Sequence, residues 1–446
     1  MRRSGMKRAA MLAAALLMGV LLAAGPAGAD HDADPRTKNL HPMGHIVEPA
    51  SLLNPAIGNP NIHTDLAFWG KFAYQGSWLG FNIRDISGPG NPKHVSFTSC
   101  TGNQGDVIIW DNVLVRSWNS PASLGATCDG ASVPEGFEGL HVFDVSDKDD
   151  PVLVASVDLS TGAIPGRCGS HTATGVPDLA NNRLLVYNSG SQCDGIDIVE
   201  VPLANPAATA YIRTEPAGRH CHDTGVILGD IMMAACAGDD GWTSWTLTGT
   251  GSLTNPDQLL SVSVPGVGIG HSVQFSNDGD TIVFGHEPGG GVQAACQPSN
   301  PASDKSYFFY DAANGDPLGM WTIPRDQTNI ENCTLHNFNI VPTTDDRDLL
   351  VHGSYQSGTG VLDFTDPENP VELAYSDPPP IPPPGGPFCG GTGCEIGGVW
   401  SSYYYNGFIY ETNITEGLNV FRYSGKEFAK AVKLTHLNPQ TQEFTR

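Results

Sequence analysis

One phrase recurs along this chain. Gly139-Leu-His-Val-Phe-Asp-Val-Ser146 runs into Asp147-Lys-Asp-Asp-Pro-Val-Leu-Val154, Gly360-Val-Leu-Asp-Phe-Thr365 into Asp366-Pro-Glu-Asn-Pro-Val371, and Gly80-Phe-Asn-Ile-Arg-Asp-Ile-Ser87 into Gly88-Pro-Gly-Asn-Pro-Lys93. Each copy reads as a short apolar strand, an acidic or Asn/Pro turn, and a second apolar strand. Such a hairpin cannot bury its own apolar face, so the copies must stack on one another. The expected architecture is all-β: a β-propeller of seven four-stranded blades in one closed ring. The 53 Gly and 34 Pro agree with many tight turns. Asp85, Asp144 and Asp363, which recur in the phrase, are expected to serve its turns.

Seven apolar segments mark the second strand of each unit: Lys71–Tyr74, Asn112–Val115, Arg183–Val186, Asp230–Met233, Thr281–Phe284, Asp348–Val351 and Gly407–Tyr410. Six and eight units remain alternatives to seven. Gly44-His-Ile-Val-Glu48 reads as a spare strand able to join unit 7, in competition with Ala431-Val-Lys-Leu434. Pro378 to Pro387 reads as a stiff loop between units 6 and 7. Residues 30–43 are expected as a loose tail, and 44–446 as one domain.

Arg2, Arg3, Lys7 and Arg8 precede an apolar run from Ala9 to Ala24 and a small-residue site at Ala27-Gly-Ala29. That pattern describes residues 1–29 as a secretory signal cleaved near Ala29, and the mature chain as extracellular. No other run reaches the about 18 apolar residues of a membrane span. Loss of the signal removes four positive charges and no negative one, taking the formal net charge from −24 to −28. Such a surface repels nucleic acid and anionic lipid. The expected partner is a small ligand or another protein, and the chain is expected to be a monomer. Ten Cys in an exported chain suggest disulfides. Cys221 is placed to pair with Cys236 and Cys168 with Cys193. Cys100 and Cys128 stand in the same relation, Cys296 and Cys333 flank a loop pair, and Cys389 and Cys394 are close in sequence.

In the phrase Gly-Leu-His-Val-Phe-Asp-Val-Ser with its trailing Pro-Val-Leu-Val, the chain resembles the LVIVD-repeat family, named for that strand signature. A fourth copy is Gly417-Leu-Asn-Val-Phe421. The likeness covers most of residues 45–425 in organisation. It implies a bacterial or archaeal β-propeller and carries no chemistry, because the signature is a structural repeat.

The chemistry is expected at the start of each first strand. Counting back from the strand ends in the units with short turns gives His63, Gln104 and His222; matching the longer units by pattern gives His171, His271 and His336, and unit 7 gives Val399 beside Trp400. Five of these seven positions are His in a chain holding 14 His. First strands of a propeller line its channel, so such residues form one ring. The second-strand ends return to the same mouth with Gln75, Arg116, Asn188, Cys236, His286-Glu287, His352 and Glu411. Three or four neutral imidazoles suit a divalent transition metal such as Zn or Cu, and also Ni or Fe, with Glu287 or Glu411 adding a carboxylate. Two other readings stand beside the metal site. The imidazoles could be blade-to-blade locks bonded to carbonyls, as in His-Thr64, His-Thr172, His-Ser272 and His-Asn337, or a proton-transfer site without metal. In the densest cluster, Arg219-His-Cys-His-Asp223, strand alternation puts His220 and His222 on one face. Nothing singles out a nucleophile, and Gly285-His-Glu-Pro-Gly-Gly-Gly291 lacks the Lys and helix of a phosphate loop. The leading function is a protein that binds a ligand, metal or partner through a His-lined channel mouth. The alternative is a metal-dependent oxidoreductase or hydrolase using the same cluster.

Overall fold

A computed structural model describes residues 34–47, 61–164, 166–167, 169–381 and 397–445. Their architecture is all-β, in mainly antiparallel sheets: four of four strands, one of five, one of eight and a two-stranded hairpin. In units 1 to 6 the first, or inner, strand is followed by three strands paired in succession; in unit 7 two follow it and Leu40–Ile46 supplies the fourth. The inner strands are His63–Trp69, Val107–Trp110, Thr172–Asp178, the second half of Ala210–Ile227, Gly270–Phe275, Phe338–Val341 and Val399–Tyr405. Ala210–Ile227 is both the outer strand of unit 3 and the inner strand of unit 4, which fuses the two sheets. Each unit has its second strand, beginning at Phe72, Val113, Arg183, Met233, Thr281, Leu349 and Phe408; in unit 4 it starts only at the last residue of the predicted segment Asp230–Met233.

The phrase forms the hairpin that its residues dictate. The Asp85, Asp144 and Asp363 carboxylates accept from the backbone N–H groups of Ser87, Ser146 and Thr365 at 2.9, 2.8 and 3.0 Å. These are Asx turns, in which a short carboxylate replaces a backbone acceptor. The apolar strand residues are sandwiched between neighbouring sheets. One cluster joins units 1 and 2 through Ile83, Ile109, Leu114 and Phe143, and five more join each unit to the next. A seventh joins unit 7 to unit 1, where Phe68 stacks on Tyr405 at 4.7 Å. Each fully buried Leu or Phe in these layers is worth about 1.5–3 kcal/mol.

Both ends of the described chain return to the sheets. Leu40–Ile46 pairs antiparallel with Gly417–Tyr423 as the outer strand of unit 7. The expectation of a loose tail through Met43 is thereby corrected: Arg36 also bridges to Ser376, and Thr37 N donates to Tyr375 O at 3.0 Å. Ala431–Leu434, the competing segment, forms no strand of unit 7; Ala431 bridges to Thr343 instead. The chain then crosses the ends of the inner strands. Leu437 pairs with Phe68, and Asn438 exchanges hydrogen bonds with both backbone groups of Ile109 at 2.8 and 2.9 Å. Thr441 Oγ1 donates to Gly175 O at 2.6 Å, while Gln442 does for Phe275 what Asn438 does for Ile109, at 3.0 and 2.7 Å. The sequence predicted no role for this segment.

Cys221–Cys236 is a disulfide with Cα atoms 5.5 Å apart, as expected; Cys100–Cys128 and Cys296–Cys333 are also joined. Cys193 is disulfide-bonded, while Cys168, Cys389 and Cys394 lie outside the described residues, as do the signal at 1–29 and most of the Pro tract. Among the described residues no helix is long and apolar enough to cross a membrane.

Candidate functional site: a histidine row facing Glu287

The starts of four consecutive inner strands converge. His171 lies against His222 with ring centroids 4.1 Å apart, His222 against His271 at 4.2 Å, and His271 against His336 at 4.3 Å. Tyr355 extends the row, 4.5 Å from His336. Glu287, just past the second strand of unit 5, faces three of the imidazoles. Its carboxylate is 3.3 Å from His336 Nε2, 3.6 Å from His271 Nε2 and 4.0 Å from His222 Nε2. The Tyr355 hydroxyl donates to Glu287 Oε1 at 2.5 Å. Together they line a cavity of about 200 Å³ with Gln104, Trp400, Ile62, Trp78 and Ile414.

Local irregularity aims these side chains. The pairing register slips between Cys221 and Asp223, between Gly270 and Val273, and between Val399 and Ser401. His222, His271 and Trp400 therefore each sit in a bulge, and a bulge re-aims a side chain that a regular strand would send elsewhere. The slip at Cys221–Asp223 also breaks the alternation expected for His220 and His222. His220 is half-exposed, 3.3 Å from Asp239, and is not among the cavity residues. In unit 1 the slip falls between His63 and Leu66. His63 is fully buried but does not line the cavity; its strand contributes Thr64 and Asp65 there. The predicted ring of five His is thus a row of four.

The locking role assigned to the imidazoles belongs mainly to the hydroxyl residues beside them. Thr64 Oγ1 donates to Gly105 O at 3.2 Å, Ser117 Oγ to His171 O at 3.1 Å, Thr172 Oγ1 to His222 O at 2.7 Å and Ser272 Oγ to His336 O at 3.0 Å. Each crosses from one unit to the next. Two of the four imidazoles also bridge neighbouring units through Nδ1: His336 donates to Trp400 O at 2.5 Å and His171 bonds Asn119 Oδ1 at 3.4 Å. The buried Nδ1 of His271 has no hydrogen-bond partner.

Burial sets the protonation states. Removal from water holds His171 down at about 4 and His336 at about 3. It drives His222 and His271 well below the usual imidazole range, with the neighbouring imidazoles adding to the effect. Burial raises Glu287 to about 7, against the opposing hydrogen bond from Tyr355. All four imidazoles are neutral at pH 7 and present lone pairs. Deeper along the inner strands lie Asp65, Asp106 and Asp223, which burial likewise pushes up, Asp223 to about 8. Asp65 accepts from Gln440 Nε2 of the C-terminal segment at 2.8 Å. The sequence reading missed this carboxyl layer and also missed Tyr355. Tyr355 holds a left-handed backbone, φ 50°, a conformation rare outside Gly and concentrated at functional sites.

Three predicted residues lie elsewhere. His286 bonds Ser303 O through Nδ1 at 2.9 Å and accepts from Gly268 N at 3.3 Å, on the far side of its strand from Glu287. His352 bonds Ser354 Oγ at 2.9 Å among Tyr307 and Trp321. Glu411 accepts from Thr359 Oγ1 at 2.5 Å and Asn419 Nδ2 at 2.7 Å, between sheets. None of the three lines the cavity.

The glycines after Glu287 do form a loop over the site. A Cβ at Gly291, φ 70°, would overlap the Tyr355 hydroxyl and crowd the Glu287 carboxylate at 2.5 Å. Gly291→Ala should therefore lower stability by about 1–3 kcal/mol, read as a reduced melting temperature with an unchanged far-UV spectrum. An unaltered melting point would mean that the loop yields freely.

No family model and no curated protein matches this sequence. Among solved structures the chain is similar to the computationally designed Ika8 protein, at 11% identity and a TM-score of 0.45, over 86% of this chain and 99% of that one. Nothing about fold or function follows from a likeness of that size.

Proposed function

We propose that this chain is a secreted LVIVD-repeat protein, a closed seven-bladed β-propeller that binds one divalent transition metal at its His-lined cavity. The observation that carries the metal reading is the convergence of three imidazole Nε2 atoms on one carboxylate, each within 4.0 Å. His222, His271 and Glu287 offer ligand atoms within 4.8 Å of one another. Two ligands bound at about 2.0–2.2 Å to one ion stand roughly 3–4 Å apart, so small movements complete the set. His222, His271, His336 and Glu287 would be the ligands, with His171 adjacent. Neutral imidazoles suit Zn, Cu, Ni or Fe(II), and burial supplies them in that form. The closed ring draws support from the apolar cluster between units 7 and 1. The repeat assignment draws it from the three Asx turns, and secretion from the disulfides.

Elemental analysis of the exported protein should return close to one equivalent of such a metal. His271→Ala should lose it while keeping the fold, because that ring makes no lock; His336→Ala should lose it and also melt earlier. A wild-type protein that retains none of these metals after loading and dialysis sinks the reading. The second reading, a metal-dependent enzyme, is favoured by the Tyr355–Glu287 pair, a proton-handling couple beside open space. In Co(II)-loaded protein, a visible spectrum that shifts on adding azide would mark an open coordination position and favour the enzyme.

A further inference from the structure

The cavity above the His row has two unlike ends. The inner end carries His222, His271, His336 and Glu287. The outer end is a separate apolar cluster of Ile62, Tyr355 and Ile414, with Trp78 and Trp400 packed against it. Trp400 stands edge-on to both His336 and Tyr355, at 5.0 and 6.3 Å between ring centroids. The described lining holds three carboxyl residues, Asp65, Asp106 and Glu287, and no Lys or Arg to pair with an anion. A wider hollow of about 410 Å³ shares Ile62 and Trp78 with the cavity, and its described lining holds no titratable residue.

Size narrows the occupant further. A cavity of about 150 Å³ accommodates benzene, and drug-sized ligands need about 300–1,000 Å³. The 200 Å³ here fits one six-membered ring with one small polar group. Aromatic walls favour a flat π-system, in stacked or edge-to-face contact worth about 0.5–1.5 kcal/mol beyond its area. We infer that the site takes a small uncharged aromatic alcohol of the phenol class, its ring among Ile62, Trp78, Trp400 and Ile414 and its oxygen directed at the His–Glu287 end. The inference deepens the metal reading and rests on it for the oxygen's partner; the ring pocket stands on the apolar cluster alone.

The test is calorimetric titration of the full exported chain, metal-loaded and metal-free, with phenol, cyclohexanol and benzoate. Phenol should bind at least tenfold more tightly than either comparison compound in both forms, and tightest to the loaded protein. Trp400→Ala should weaken phenol at least fivefold, while His336 keeps its bond to the main-chain carbonyl. Failure to hold metal is read separately by elemental analysis and leaves the metal-free titrations to decide the ring pocket. Phenol binding no better than cyclohexanol would overturn the aromatic class, equal binding of benzoate would overturn the uncharged one, and no heat with any of the three would overturn the site.

Discussion

A chain ending at His436 is expected not to fold. The segment beyond it bonds to inner-strand backbone or side-chain groups of units 1 to 5, through Leu437, Asn438, Pro439, Gln440, Thr441 and Gln442. Val226 N and Leu228 N also donate to Gln440 O and Gln442 O, each at 2.8 Å. An inner strand is a sheet edge whose N–H and C=O groups lack a neighbouring strand, and here the C-terminal amides serve as that neighbour. A hydrogen bond is worth a net ~0.5–1.5 kcal/mol, and more when its loss strands a buried donor. Losing this many together is of the order of the whole stability of an ordinary domain, about 5–15 kcal/mol. Asn438→Ala is the milder form of the experiment. It should cost about 1–3 kcal/mol in urea or thermal unfolding, since Ile109 N and O both lose their partner. A truncated chain with native-like near-UV dichroism and an unshifted melting point would show the segment to be dispensable.

Glu287→Gln is expected to act in opposite directions on the metal-free and metal-loaded protein. Burial raises the folded-state pKa of Glu287 from 4.5 to about 7. A group shifted upward stabilises the fold below its unfolded value and loses that contribution as pH rises through the folded one. Metal-free wild type should therefore weaken relative to Glu287→Gln between about pH 5 and 8.5, by ~3 kcal/mol at most. The variant keeps an oxygen to accept from Tyr355, so it should melt higher than wild type at pH 8.5 and alike at pH 5. With metal bound the order should reverse at pH 8.5, because the carboxylate has become a ligand. A melting-point difference independent of pH would mean that Glu287 does not titrate as its burial requires.

Most of the sheet framework was legible because it depends on alternation and turns. The seven second strands and the three turn aspartates follow from apolar residues at period two and from Asp two residues before a donor. The His row was legible only in part. Counting from strand ends found His222, where the turn is short, and matching the longer units by pattern found His171, His271 and His336. The count failed at His63, where the pairing slips over Thr64 and Asp65. Strand alternation failed for His220, because a bulge changes the faces that it assigns. Tyr355 lay in a loop with no repeat signal, and its role depends on a backbone conformation invisible in residue type. Glu287 was named as a carboxylate beside the imidazoles, but the particular residues it faces, His222, His271, His336 and Tyr355 from units 4 to 6, were not. The C-terminal segment did carry a readable sign, Asn438, Gln440 and Gln442 at alternate positions. Amides at period two can each satisfy one edge group, and that pattern was not weighed.

The pairing of Leu40–Ile46 with Gly417–Tyr423 makes the last sheet a seam between the two extremes of the described chain. Closing so long a loop adds little to the equilibrium cost, which grows only with the logarithm of its length. Its consequence is temporal. The hairpins of units 1 to 6 can form as synthesis proceeds. The inner strands wait longest, for Leu437 to Gln442, whereas unit 7 must wait for Gly417 onward before its outer edge is covered. Until then Leu40–Ile46 remains a bare strand open to pairing with another molecule. The seam therefore acts as a proofreading step, since Leu40–Ile46 stays uncovered until Gly417–Tyr423 has been made.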